Sequence, residues 1–148
     1  NVVHMGDVFN ARYPFVDAGN GGHIDGMIRA CREVLARLDS DSVVVPGHGP
    51  VSGYDDLETF VIMLETVRDR VNAMIDSGYT LDEVIAARPT AEFDERYGDP
   101  ARLIDRAYLG LSRRAGHRAA FCCTDACRYS AVTSETSGGI SCRYMKCK

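Results

Sequence analysis

The sequence lacks both the long apolar runs and the excess of positive charge that mark two large classes of protein. No apolar stretch approaches the roughly 18 residues that a membrane-spanning helix needs. Lys and Arg number 17 against 21 Asp and Glu, a formal charge of −4, so the chain has no general attraction for phosphate. The first residues also lack the basic and apolar regions of a secretory signal. We therefore expect a cytoplasmic protein that binds neither nucleic acid nor a membrane.

Cysteine is nearly absent before residue 122, where only Cys31 occurs. Cys31 falls within a helical pattern and is interpreted as a small buried apolar residue. The others lie near the C-terminal end: Cys122, Cys123, Cys127, Cys142 and Cys147. Because no helical or strand period continues after about Arg113, residues 113–148 are predicted to be a poorly ordered, Cys-rich tail. Three interpretations of its cysteines stay open: a small zinc-binding module with His117 and Cys122 as further ligands, disulfides in an oxidising compartment, and translation outside the natural reading frame.

The composition of the chain is that of a globular protein. Its 148 residues are 45% hydrophobic and 26% charged, which is enough for one ordinary domain with a core. The chain begins at Asn1, and the next residue already lies in an apparent strand. Since natural domains usually open with a few loosely held polar residues, we expect this chain to be part of a longer protein.

The first third of the chain predicts a strand, a long loop, a helix and a second strand. Residues 1–6 and 42–45 are β-branched runs that stop at Gly or Pro, as buried strands do. Apolar residues at helical spacing predict an amphipathic helix over 26–38. This order of elements is compatible with a mixed or parallel α/β sheet covered by helices, which we assign to residues 1–54.

Residues 55–112 predict a helical extension. An apolar stripe predicts a helix over 55–77, which Asp55 or Asp56 caps and Gly78 terminates. A capping box from Thr80 to Glu83 then opens a short helix that ends before Pro89. The segment 90–100 is expected to wrap around the helices, and a last short helix is expected to end at Leu111.

Two short motifs each place a candidate metal ligand after an apolar run. Met5-Gly6-Asp7 follows the first predicted strand, and Pro46-Gly47-His48-Gly49-Pro50 follows the second. A carboxylate and an imidazole at strand ends are well suited to hold a metal ion on a rigid scaffold. Asp7 and His48 are therefore the predicted metal ligands.

These motifs, in this order, resemble the metallo-β-lactamase superfamily. The resemblance covers residues 1–111 and includes Val3 to Asp7, the Asn10, Pro14 and Asp17 loop, Gly21-Gly22, and Val45 to Val51. It implies the C-terminal half of an αββα sandwich, with a mixed sheet and covering helices. It also implies two zinc ions, with Asp7 as the carboxylate that bridges them and His48 as the last histidine of the second position. The implied activity is hydrolysis of a small-molecule ester, thioester, lactam or phosphoester.

The H-x-H-x-D-H cluster of that superfamily does not occur in this sequence, since no histidines stand at that spacing. The separate histidine of the family is also unmatched and is expected upstream of residue 1. We therefore expect the chain to be inactive by itself and to bind zinc weakly. The alternatives are a non-catalytic remnant or interaction module, and the Cys-based zinc module of the tail.

Four further residues are candidates for the pocket or for orienting the ligands. His4 is expected on the opposite strand face from Asp7, in the core or behind a ligand, because an odd separation changes the face of a strand. His23 either lines the pocket or, as the favoured interpretation, is exposed to solvent. Asn10 and Asp17 either orient ligands or substrate, or stabilise turns through their own side chains.

The resemblance also implies that one apolar sheet face and one strand edge lack their usual cover. Such surfaces favour association between copies. We therefore expect the chain to self-associate through the exposed sheet face or to stay partly molten.

Overall fold

The computed structural model describes the backbone of residues 1–128 and the side chains of residues 1–114. The β-strands are β1 (Val2–Asn10), β2 (Val43–His48) and β3 (Ser52–Gly53). The α-helices are α1 (Ile24–Leu35), α2 (Tyr54–Asp76), α3 (Leu81–Ala86), α4 (Asp94–Tyr97) and α5 (Ala101–Arg128), with a single 3-10 turn at Ala18–Asn20.

The fold is mixed α/β, as expected. β1 and β2 are parallel, with Val2 opposite Val43, and β3 runs antiparallel to β2 in a 3-stranded sheet of order β1-β2-β3. Parallel neighbours need a crossover connection, and α1 supplies it. α1 and α2 pack against each other and against the strands. Among the helices of the described residues, none has both the length and the apolar character needed to cross a membrane.

β1 is longer than predicted, because the chain does not turn at Gly6. The pairing with β2 shifts between His4 and Gly6 and again between Gly6 and Asn10, and Gly6 has a φ of +53°. Such irregularities insert extra residues into one strand and interrupt its alternation of faces. As a result His4 and Asp7 are both exposed, and the prediction that His4 lies in the core is wrong.

The capping residues at the start of α2 and α3 lie at or near the positions that the sequence predicts. α2 is capped at Gly53 rather than at Asp55 or Asp56, and the Asp56 carboxylate accepts a hydrogen bond from the Gly53 N–H at 3.3 Å. The capping box of α3 is confirmed, since Glu83 accepts from the Thr80 N–H at 2.8 Å and Thr80 Oγ1 accepts from the Glu83 N–H at 3.4 Å. These contacts satisfy donors that a helix leaves without partners in its first turn.

A single hydrophobic core takes residues from both the 1–54 part and the helical extension. Phe9 of β1 contacts Phe60 of α2 edge to face, with ring centroids 5.1 Å apart. Cys31 is fully buried in this core, as predicted. Burial raises the pKa of its thiol to about 11, so it stays protonated at neutral pH.

α5 continues well beyond the predicted end at Leu111, to Arg128. The last helix is therefore longer than the short helix that the sequence predicts. Residues 113–128 are rich in Ala and Arg, which have high intrinsic helix propensity even without an apolar stripe. The predictions for the tail cysteines and His117 concern side chains outside the described residues.

The outer face of the sheet carries exposed apolar side chains. Val2 is 75% exposed and Val43 is 38% exposed, and the two residues are paired across β1 and β2. Within the described residues, no strand pairs with the outer edge of β1. The expectation of self-association therefore has a defined surface on which it can be tested.

Replacing Val2 and Val43 together by Lys should weaken self-association at least tenfold, because like charges oppose the stacking and edge pairing of sheets. Sedimentation velocity over a range of concentrations measures the dissociation constant. Ile85→Lys, at a side chain 41% exposed on α3, is the matched control and should leave association unchanged. A wild-type chain that stays monomeric at every concentration would contradict the prediction.

Candidate metal centre

The structure brings Asp7 and His48 into direct contact. Asp7 Oδ1 lies 3.3 Å from His48 Nε2, and the two side chains are 77% and 75% exposed. Asp7 lies within β1 and His48 ends the neighbouring parallel strand β2. The parallel pairing of β1 and β2 therefore brings together two motifs that are far apart in the sequence. The side chains of Asp7 and His48 both face solvent.

Asn10 holds the two motifs together through its side-chain amide. Its Oδ1 accepts a hydrogen bond from the His48 N–H at 2.9 Å, and its Nδ2 donates to the Asp7 carbonyl at 3.2 Å. Asn10 itself is buried. Its side chain therefore ties the backbone of Asp7 to the backbone of His48.

Gly47 permits the close approach of β2 to the Asp7 segment. A Cβ atom at Gly47 would lie 2.6 Å from the Gly6 carbonyl carbon and 2.8 Å from the Asp7 nitrogen. Both are backbone atoms, which cannot move aside cheaply. Gly49, with a φ of +117°, is similarly close to Ala11. The glycines on either side of His48 are thus required by packing and backbone conformation.

The distance between the two side chains suits a common metal-ligand geometry. Ligand atoms bound to zinc at ~2.0–2.1 Å with a tetrahedral angle between them lie ~3.3 Å apart. The contact between Asp7 and His48 matches that separation. Among residues 1–114, however, no group of three or more His, Cys, Asp and Glu side chains is close enough to hold a metal ion. Within residues 1–114 the two predicted ligands thus form a pair without a third such side chain beside them.

His4 does not join this pair. Its Nδ1 accepts a hydrogen bond from the Gly6 N–H at 3.2 Å, and its side chain is exposed beside the irregular part of β1. The role of His4 in the described structure is to satisfy a backbone donor that the bulge leaves free.

His23 and Asp17 line a different cleft from Asp7 and His48. His23 caps α1: its Nδ1 accepts from the Asp25 N–H at 3.3 Å, and its Nε2 lies 3.1 Å from the Gly110 carbonyl. With a side chain only 15% exposed, it contradicts the favoured prediction of solvent exposure. Asp17 forms the predicted turn, since Oδ1 accepts from the Asn20 N–H at 3.3 Å.

The cleft beside Asp7 and His48 includes residues that the sequence did not single out. It has a volume of about 750 Å³. Besides Asp7, His48 and Asn10, its walls include Arg12, Tyr13 and Phe15. These residues follow Asn10 in a long loop rich in Gly, Asn and Pro. That position could have marked them as candidates, because long loops in compact domains are often functional.

Tyr13 connects this cleft to the helical extension. Its hydroxyl donates to Asp94 Oδ1 at 2.9 Å, and it also lies 3.3 Å from the Thr90 carbonyl. Burial raises the pKa of the Tyr13 phenol, and the bond to Asp94 raises it further, so the phenol remains a proton donor. Burial also acts to raise the pKa of Asp94, but hydrogen bonds and the Arg88 guanidinium outweigh it and hold that pKa below its usual range.

No family model matches this chain, and no curated protein matches it. Interpretation of the site therefore depends on its geometry and on the sequence motifs.

Asn10→Ala should lower the free energy of unfolding by about 1–3 kcal/mol, because it removes two hydrogen bonds, one from the His48 N–H and one to the Asp7 carbonyl, each worth about 0.5–1.5 kcal/mol. Urea unfolding followed by circular dichroism measures the change. Asn72→Ala is the control, since Asn72 makes only an exposed side-chain bond to Asp76 on α2. Equal stability of the two variants would show that the Asn10 contacts do not support the fold.

Asp94→Asn should remove part of the acid sensitivity of the protein. Because the folded-state pKa of Asp94 is lowered, its stabilisation is present above the unfolded value of about 3.9 and is lost as pH falls through the folded value. At pH 7 we expect the variant to be less stable by about 1 kcal/mol. Thermal unfolding from pH 7 to pH 3 measures this difference, which should shrink on acidification. The neighbouring exposed Glu95→Gln is the control, and a difference that persists at pH 3 would contradict the assignment.

Proposed function

We propose that this chain carries two ligands of the metal centre of a metal-dependent hydrolase of the metallo-β-lactamase type. The observation that carries the proposal is the 3.3 Å contact between Asp7 Oδ1 and His48 Nε2, on neighbouring strands. Each residue lies in the motif that led to the resemblance. Asn10, which binds the backbone of both, gives the pair the support that metal ligands need from the residues behind them.

The arrangement of elements supports the same proposal. The β1-α1-β2 unit with a parallel strand pair is compatible with the C-terminal half of an αββα sandwich, and α2 to α5 correspond to a helical extension. The exposed Val2 and Val43 lie on the sheet face that a second sheet would cover in such a sandwich. A fold alone does not specify a reaction, so the proposal depends on the ligand pair.

The chemistry proposed is hydrolysis of an ester, thioester, lactam or phosphoester in a small molecule. A zinc pair, when bound, supplies a hydroxide at neutral pH and polarises the bond to be broken. Asp7 and His48 would hold the metal through a carboxylate oxygen and a ring nitrogen. Asn10 orients both, and Tyr13 keeps a protonated hydroxyl in the wall of the adjoining cleft.

Two ligands are fewer than the three or four that a zinc ion takes from a protein. The other ligands of the proposed centre would come from outside residues 1–114, either from another segment or from a second chain. We therefore expect the chain by itself to bind zinc weakly and to hydrolyse nothing at a useful rate. The alternative of a non-catalytic interaction module is favoured by the exposed apolar sheet face, and it requires no metal.

Zinc binding to the full chain tests the proposal. Replacing the tail cysteines by Ser first removes the competing thiols: Cys122, Cys123, Cys127, Cys142 and Cys147. In that background we expect weak zinc binding by isothermal titration calorimetry, with an affinity that falls at least tenfold in Asp7→Ala and in His48→Ala. His4→Ala, at an exposed histidine with no contact to the pair, should bind zinc as the parent does. If the chain binds no zinc, or if its zinc affinity is the same in Asp7→Ala and His48→Ala as in the parent, the proposal is contradicted and the non-catalytic alternative is favoured.

A further inference from the structure

Two clefts lie against the loop after β1. The cleft beside Asp7 and His48 shares residues 11–13 with a second cleft. The second cleft is bordered by Glu95, Arg96, Asp99 and Arg102. Arg12 lines both clefts, and we call the two together the arginine groove.

Arg12 and Arg102 are exposed and make no ion pair or side-chain hydrogen bond with any residue in the range 1–114. Many of the other arginines pair with carboxylates: Arg32, Arg68, Arg70, Arg88, Arg96, Arg106 and Arg114. A guanidinium presents several N–H donors in a planar fork that matches carboxylate and phosphate. The donors of Arg12 and Arg102 are thus available to a ligand.

The second cleft carries acidic as well as basic side chains. Arg96 is paired with Asp56 at 2.9 Å, and Asp99 Oδ1 accepts a hydrogen bond from the Ala101 N–H at 3.0 Å. Glu95 and Asp99 therefore balance the formal charges of Arg12 and Arg102. What the cleft offers an anion is the set of unpaired guanidinium donors rather than a net positive charge.

The first cleft adds an apolar surface beside Arg12. The Phe15 ring is 52% exposed, and the Arg106 guanidinium lies over it at 5.5 Å from the ring centroid. Pro50 lines the same cleft. An exposed aromatic ring in the cleft that Arg12 also lines fits a ligand that combines an apolar part with an anionic group.

We infer that the arginine groove binds the anionic end of a small organic substrate, a carboxylate or phosphate held by Arg12 and Arg102. The apolar part of the substrate contacts Phe15, and the bond to be hydrolysed lies toward Asp7 and His48. This last orientation rests on the proposed hydrolase function. The binding of an organic anion does not rest on the hydrolase function, because the N–H donors of Arg12 and Arg102 are independent of any metal.

An NMR titration of the full chain, labelled with ¹⁵N and kept with a chelator, tests the inference. The probe is phenyl phosphate, and benzyl alcohol is its uncharged counterpart. We expect saturable shifts in residues 11–15 and in the Arg12 and Arg102 side chains with phenyl phosphate alone. The affinity should fall as salt is raised, since screening weakens exposed charge contacts. Absence of saturable shifts, or equal binding of benzyl alcohol, would overturn the inference.

Paired variants identify the residues responsible. The double variant Arg12→Gln with Arg102→Gln should bind phenyl phosphate at least tenfold more weakly, whereas Arg29→Gln with Arg37→Gln removes the same charge elsewhere and should bind normally. An equal loss of affinity in both double variants would show that binding depends only on the net charge of the chain, and it would overturn the inference. Asp7→Asn with His48→Gln should retain binding under chelation. A chain that binds phenyl phosphate in this way but fails the zinc test would refute the hydrolase proposal and leave the anion site established.

Discussion

The close approach of β1 and β2 at Gly47 is the constraint on which the site depends. A side chain at this position would collide with the backbone of Gly6 and Asp7, so only glycine lets the strands meet there. Once they meet, Asn10 fills the space beyond and hydrogen-bonds the backbone of Asp7 and of His48. The separation of the two candidate ligands is thereby set by backbone contacts rather than by an attraction between exposed side chains, which is worth little in water.

The irregular pairing of β1 determines which groups face solvent. Regular alternation would place His4 and Asp7 on opposite faces, but the shifts around Gly6 leave both exposed. The same shifts carry the strand onward to Asn10, which brings the loop with Arg12 and Tyr13 beside the ligand pair. The irregular strand β1 therefore positions the candidate ligands and also leads into the loop that lines the arginine groove.

The helical extension is joined to this region by polar contacts as well as by the core. Tyr13 donates to Asp94, and Arg88 binds the other oxygen of the same carboxylate. These contacts fix the wall of the cleft against the segment between α3 and α4. Arg102 at the start of α5 completes the groove. The candidate ligands Asp7 and His48, the Phe15 ring and the guanidinium groups of Arg12 and Arg102 thus come from separate parts of the chain that one core holds together.

The sequence by itself determined the α/β class, the capping box at Thr80, the burial of Cys31 and the two apolar runs beside Asp7 and His48 that form β1 and β2, because periodicity, cap chemistry and apolar runs are local signals. Only the tertiary structure decided the rest. The bulge at Gly6 depends on pairing with β2, and the burial of His23 depends on the Gly110 carbonyl of a distant helix. The length of α5 is not evident from hydrophobic periodicity, because Ala and Arg favour a helix even without an apolar stripe. The groove from Arg12 to Arg102 joins residues that no spacing in the sequence connects, because their proximity is a property of the packed helices.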